Sequence, residues 1–91
     1  MSSTIKIQKI IEAHLNEDEQ VMLADGYEEA FIGVARRFDG VPFAVYNRNK
    51  CIEILIEGGL NREEAEEYFQ FNVEGAYVGE NTPAFLVHDH H

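Results

Sequence analysis

The side chains able to do chemistry in this sequence fall into a few groups, and each has a plain reading beside the chemical one. Cys51 is the single cysteine, with Arg48 and Lys50 just before it. In the first turn of a helix, amides and cations of that kind lower a thiol pKa, and His14 or His88 would supply a base for a nucleophile–base pair. No motif accompanies Cys51, and a lone thiol next to Ile52 and Leu55 reads first as a small core residue. His88, His90 and His91 end the chain as His-Asp-His-His. Imidazoles two apart can hold a transition metal, but a terminal cluster reads as adventitious pickup, so no metal site and no cofactor is expected. His14 reads as a flank residue of the first helix. Cysteine spacing for zinc is absent, and Ser2, Ser3, Thr4 and Thr82 sit in no nucleophile elbow.

Charge gives the stronger signal. Seventeen acidic residues oppose seven basic ones, a net charge of −10. Residues 1–50 carry six basic and eight acidic side chains, whereas residues 51–91 carry only Arg62 against nine acids. Phosphate contact is built from Lys and Arg, so direct nucleic-acid binding is not expected. Glu63, Glu66, Glu67 and Glu74, with Phe71 on their flank, form a candidate binding face. Such a face is either ordinary solvated helix surface or an acidic patch that steers a basic partner. Arg36, Arg37, Arg48 and Lys50 form the alternative, an anion pocket helped by a helix N-terminus. Pairing with the acidic half is the simpler reading of those cations, since the glycines match neither a P-loop nor a dinucleotide fingerprint. Tyr77, Asn81 and Thr82 lie in the turn-rich run Gly79-Glu80-Asn81-Thr82-Pro83, a loop type that often carries binding residues.

The elements that position these groups can be read from periodicity and punctuation. A first helix is predicted over about Thr4–Leu15, with Ile7, Ile10, Ile11 and Leu15 on one face. Asn16–Glu19 reads as a solvated exit loop, and Val21–Asp25 is ambiguous with a short strand. Ala30–Phe38 and Val41–Tyr46 flank Asp39-Gly40, a hairpin signal. Ile32, Val34 and Phe38 are assigned to one strand face, and Val41, Phe43 and Val45 alternate in the partner. Pro42 suits an edge or a strand's first residue. Asn47 is placed as the cap of a helix through Glu57, closed by Gly58-Gly59. Its apolar residues also alternate like a strand, and the punctuation decides for helix. Asn61 and Glu64 open a third helix that Gly75 ends, with Ala65, Tyr68, Phe69, Asn72 and Val73 facing inward. Asn72 is expected to hydrogen-bond the backbone of residues 76–82. Ala84–His88 is expected to add a strand to the hairpin. The order α-β-β-α-α-β describes one α+β domain over residues 1–91, about three helices against a small, mainly antiparallel sheet.

Three stretches resemble a known group of sequences. They are Lys50-Cys51-Ile52-Glu53-Ile54-Leu55, Glu63-Glu64-Ala65-Glu66-Glu67-Tyr68-Phe69, and Asn72-Val73-Glu74-Gly75-Ala76-Tyr77-Val78-Gly79-Glu80-Asn81-Thr82-Pro83. The chain resembles small uncharacterised proteins of bacteriophages, prophages and bacterial genomes over roughly residues 25–87. Gly-Ala-Tyr-Val-Gly-Glu-x-Thr-Pro is the most specific stretch. The resemblance implies a phage-associated setting and carries no catalytic residue.

Composition is that of a folded globular domain: 45% hydrophobic and 26% charged. A single cysteine permits no internal disulfide, no run approaches the roughly 20 apolar residues of a membrane span, and Met1–Lys6 lacks a signal-peptide pattern. A cytoplasmic location is therefore expected. The function expected is a non-enzymatic protein-interaction module, a phage-encoded modulator of a host protein or defence system acting through its acidic face. The alternative is a small-ligand or anion-binding domain, with or without catalysis, using the Arg36/Arg37/Arg48/Lys50 region or the Tyr77–Thr82 loop.

Overall fold

A computed structural model of the chain describes residues 2–76 and 79–87. Its order is α1 (Ser2–His14), a 3-10 turn (Glu28–Ala30), β1 (Phe31–Arg36), β2 (Pro42–Asn47), α2 (Arg48–Glu57), α3 (Arg62–Phe69), a π-helical extension (Gln70–Glu74) and β3 (Ala84–Leu86). This is the expected α-β-β-α-α-β arrangement, an α+β fold. Among the described residues no helix is long and apolar enough to cross a membrane.

Local chemistry sets the element ends. Asn47 Oδ1 accepts from the Lys50 amide at 3.1 Å, so the last residue of β2 is also the cap of α2. At the other end Leu60 N–H reaches Leu55 O and Gly59 N–H reaches Ile56 O, with Gly59 at φ 122°. That pair of bonds closes the helix in a Schellman turn, and the positive φ there needs glycine. Asn61 and Glu64 exchange side-chain and backbone bonds of 2.8 and 2.9 Å, a complete capping box for α3.

The hairpin forms, but Asp39-Gly40 is not the centre of a two-residue turn. Gly40 N–H bonds Arg37 O, Arg37 N–H bonds Val41 O, and only Gly40 takes positive φ, at 92°. The connection is a three-residue loop with glycine in its left-handed position. β1 and β2 pair antiparallel from Phe31↔Tyr46 to Arg36↔Pro42, with a bulge that leaves Ile32 without a partner. Pro42 starts β2, where its missing amide costs the ladder nothing further. β3 joins the other side of β2 in parallel, with Tyr46 opposite Phe85. A parallel neighbour needs a long crossover, and the α2–α3 stretch provides it.

The face assignment within the hairpin is corrected. β2 buries Pro42, Ala44 and Tyr46, while Phe43 and Val45 are only half-buried. Ile32 and Phe38 are exposed. Both faces of β2 are apolar in sequence, so alternation alone does not choose between them. Packing chooses: α2 and α3 lie over the Tyr46 side, and Tyr27, Ala30, Ala44, Tyr46, Cys51, Ile52, Ala65 and Phe69 form one core. Ring contacts run from Phe31 to Tyr46, Phe85, Phe69 and Tyr27 with centroid separations of 4.9–5.8 Å. The Tyr46 hydroxyl accepts from the Ala24 amide at 2.8 Å, which pins the irregular segment before the 3-10 turn. No strand forms over Val21–Asp25.

Candidate functional site: an acidic, aromatic groove on the third helix

The capping box fixes the phase of α3. Ala65 and Phe69 point into the core and Val73 is half-buried, so the outer surface is set by what remains. Two members of the sequence-derived inner stripe do not belong to it: Tyr68 is 47% exposed and Asn72 is exposed. The π-helical stretch explains Asn72. Gly75 N–H bonds Gln70 O in an i→i+5 turn, which advances each residue by less than the roughly 100° of an α-helix. Val73 stays inward and Asn72 swings off the stripe. Its side-chain amide donates to Tyr68 O one turn back, at 3.1 Å, and among the described residues not to the following loop.

The expected acidic face divides into two. Arg48, at the start of α2, bonds Glu66 at 3.1 Å and Glu74 at 2.9 Å, while its guanidinium lies 5.5 Å over the Phe69 ring. Those two carboxylates are occupied in holding α2, α3 and the π-turn together. Among the described residues Glu63 and Glu67 make no ion pair. Glu64 serves the capping box through one oxygen. Leu60, Glu64, Glu67, Tyr68, Phe71 and Asn72 then line an open groove of about 370 Å³, with Phe71 74% exposed at its edge. Of this lining, sequence reading found Glu67 and Phe71 but missed Leu60, Glu64 and Tyr68, and Glu63 lies outside it. The i, i+3 spacing of Tyr68 and Phe71 was the available signal.

The cations of the alternative site do not converge. Arg36 and Arg37 flank the hairpin turn, whereas Arg48 and Lys50 open α2 at the other end of β2, a strand length of about 17–20 Å away. Arg36 is engaged by both oxygens of Glu19 at 2.8 Å, and it also donates to Gly40 O and His14 O. That fork holds Glu19 down to a pKa of about 2, so the exit loop of α1 is tied to the hairpin and is not simply solvated. Lys50 lies 3.8 Å from Glu53 and lines a polar cavity of about 390 Å³ with Asn47, Asn49 and Arg62.

In the C-terminal loop, Asn81 donates to Pro42 O at 2.9 Å and the Thr82 hydroxyl to Gly79 O at 2.6 Å. The loop is thus fixed to the sheet through Asn81, whereas the sequence expectation has Asn72 fixing it to the third helix. Tyr77, His88, His90 and His91 lie outside the described residues. Cys51 is fully buried, and burial pushes its thiol up to about 12 despite the opposing pull of Arg48. It is a core residue in an environment that withholds the thiolate. His14 is exposed on α1. Among the described residues no three His, Cys, Asp or Glu side chains cluster as metal ligands do.

No protein-family model, curated protein or solved structure matches the chain. The groove must be interpreted from its own chemistry.

Proposed function

We propose that the chain is a non-enzymatic protein-interaction module that receives a basic partner on the outer face of α3. The observation that carries this reading is the juxtaposition of two exposed rings, Tyr68 and Phe71, with the Glu64 and Glu67 carboxylates in one open groove. Aromatic anchors supply binding energy when desolvated, and surrounding carboxylates steer a cationic surface into place. The working set is narrower than the acidic face expected from sequence. Glu63, Glu67, Tyr68 and Phe71 are available, whereas Glu66 and Glu74 are held by Arg48. The resemblance to phage and prophage proteins makes a host protein the partner we propose.

The test has two steps. Affinity capture from a host lysate supplies a partner, and binding kinetics with Glu63→Gln/Glu67→Gln and Phe71→Ala variants then decide. The charge variant should slow association and flatten its salt dependence, and Phe71→Ala should mainly speed dissociation. A partner bound at unchanged rates by both variants overturns the reading.

A further inference from the structure

The groove on α3 matches a second exposed feature of the same chain. Phe38 sits at the tip of the β1–β2 loop with its ring wholly exposed. The loop is held by the 2.8 Å bond from Gly40 N–H to Arg37 O and the 3.1 Å bond from Arg37 N–H to Val41 O, so the ring projects from a fixed turn. A large apolar side chain in that position gives the fold nothing and is a ready anchor for another surface. Among the described residues, Arg37 beside it makes only long ionic contacts, 3.8 Å to Asp39 and 3.9 Å to Glu80. Exposed pairs of that kind contribute little and exchange readily for a better carboxylate.

A cation next to an exposed ring is the complement of exposed rings next to an unpaired carboxylate. We infer that the Arg37-Phe38 tip of one copy docks into the α3 groove of a second copy, with Phe38 packing against Tyr68 and Phe71 and Arg37 facing Glu67. This rests on the groove being a cation-accepting docking surface, as proposed above. Offset or edge-on ring contacts suit such an arrangement, and the small contact area makes the association a transient one. Two tip-to-groove contacts made reciprocally close a dimer, and single ones propagate.

Net charge gives this contact a distinctive signature. Each copy carries −10, so copies repel at long range. Salt screens that repulsion more than it screens a close, partly desolvated ion pair. Self-association should therefore strengthen as salt rises from low to about physiological strength, whereas a basic partner should bind less well over the same range.

Sedimentation equilibrium of the full chain from about 10 μM to about 1 mM reads the mass directly. The average mass should rise with concentration. Phe38→Ser, Arg37→Glu and Glu67→Arg should each move the rise about tenfold higher in concentration. The Arg37→Glu/Glu67→Arg double variant should restore it. Far-UV circular dichroism of each variant should match the parent, because all three side chains are exposed. A monomer at every concentration and salt, association that Phe38→Ser leaves unchanged, or a double variant no better than the singles overturns the self-docking. Partner binding separates the two readings. If it still requires Glu67 and Phe71 while the chain stays monomeric, only self-docking falls; if the charge swap restores self-association but partner binding ignores both residues, the partner reading falls alone.

Discussion

Phe69 and Phe71 stand two positions apart and have opposite surroundings. Phe69 is fully buried, with Phe85 at 4.9 Å, Tyr27 at 5.8 Å and the Arg48 guanidinium 5.5 Å above its ring. Phe71 is in solvent beside Tyr68 and two carboxylates. The capping box sets where the helix starts, about 100° per residue then places positions 65 and 69 inside, and the smaller advance through the π-turn keeps 73 inward and leaves 71 outside. The outer face consequently contributes little to holding the fold. Its aromatic residues are free to serve recognition, which the inner ones cannot do without unfolding the domain.

Arg48 and Arg37 show the same division among the cations. Arg48 has two close carboxylates and a ring beneath it, supplied by α3 and the π-turn. Among the described residues, Arg37 has only more distant carboxylates, Asp39 and Glu80, at the hairpin tip. One is a clamp and the other is available.

Substitutions should separate the two classes sharply. Phe69→Ala removes a fully buried link of the ring chain and should cost roughly 3–5 kcal/mol, a large part of the stability of so small a domain. Urea denaturation measures it, and a loss under about 1 kcal/mol would erase the contrast with Phe71. Arg48→Ala leaves Glu66 and Glu74 facing each other without their cation and strips the cover from Phe69. A loss of about 1–2 kcal/mol is expected, smaller because the carboxylates remain partly in water. Asn61→Ala should cost about 1 kcal/mol by removing the capping box, read as a lower urea midpoint with an unchanged slope.

The Glu19–Arg36 fork makes a pH-dependent contribution. The folded pKa of Glu19, about 2, lies below its ordinary value of 4.5. The stabilisation is therefore full above about pH 4.5 and fades as pH falls towards 2. Glu19→Gln should be less stable than the parent at pH 6, and the two urea midpoints should converge near pH 2. A gap that persists unchanged at pH 2 would mean that the carboxylate charge is not its source. Smallest of all, Phe71→Ala and Glu67→Gln should each shift stability by less than about 0.5 kcal/mol, the usual range for surface changes. A larger loss from Phe71→Ala would show that this ring belongs to the fold.

The caps and turns were legible because their partners lie within a few residues. Asn47, the Asn61–Glu64 pair, Gly58-Gly59 and Gly40 each act on backbone groups three to five positions away. They determined where α2 begins and ends and where α3 begins. The candidate groove was half legible for the same reason. Glu67 and Phe71 followed from helical spacing, but Tyr68 and Asn72 were misassigned because their placement depends on a narrow inner stripe and on an i→i+5 turn.

What the tertiary structure alone decided involves residues far apart in the chain. Pro42, Ala44 and Tyr46 on one side of β2, and Phe43 and Val45 on the other, are equally apolar, so only the docking of α2 and α3 selects the buried face. Parallel pairing of Phe85 with Tyr46 depends on where the crossover delivers β3. Glu66 and Glu74 look like any other solvated acids until Arg48, eighteen and twenty-six positions earlier, reaches them. Short-range hydrogen bonds are fixed by local backbone geometry, whereas a side chain's exposure and its ionic partner depend on which distant surfaces meet.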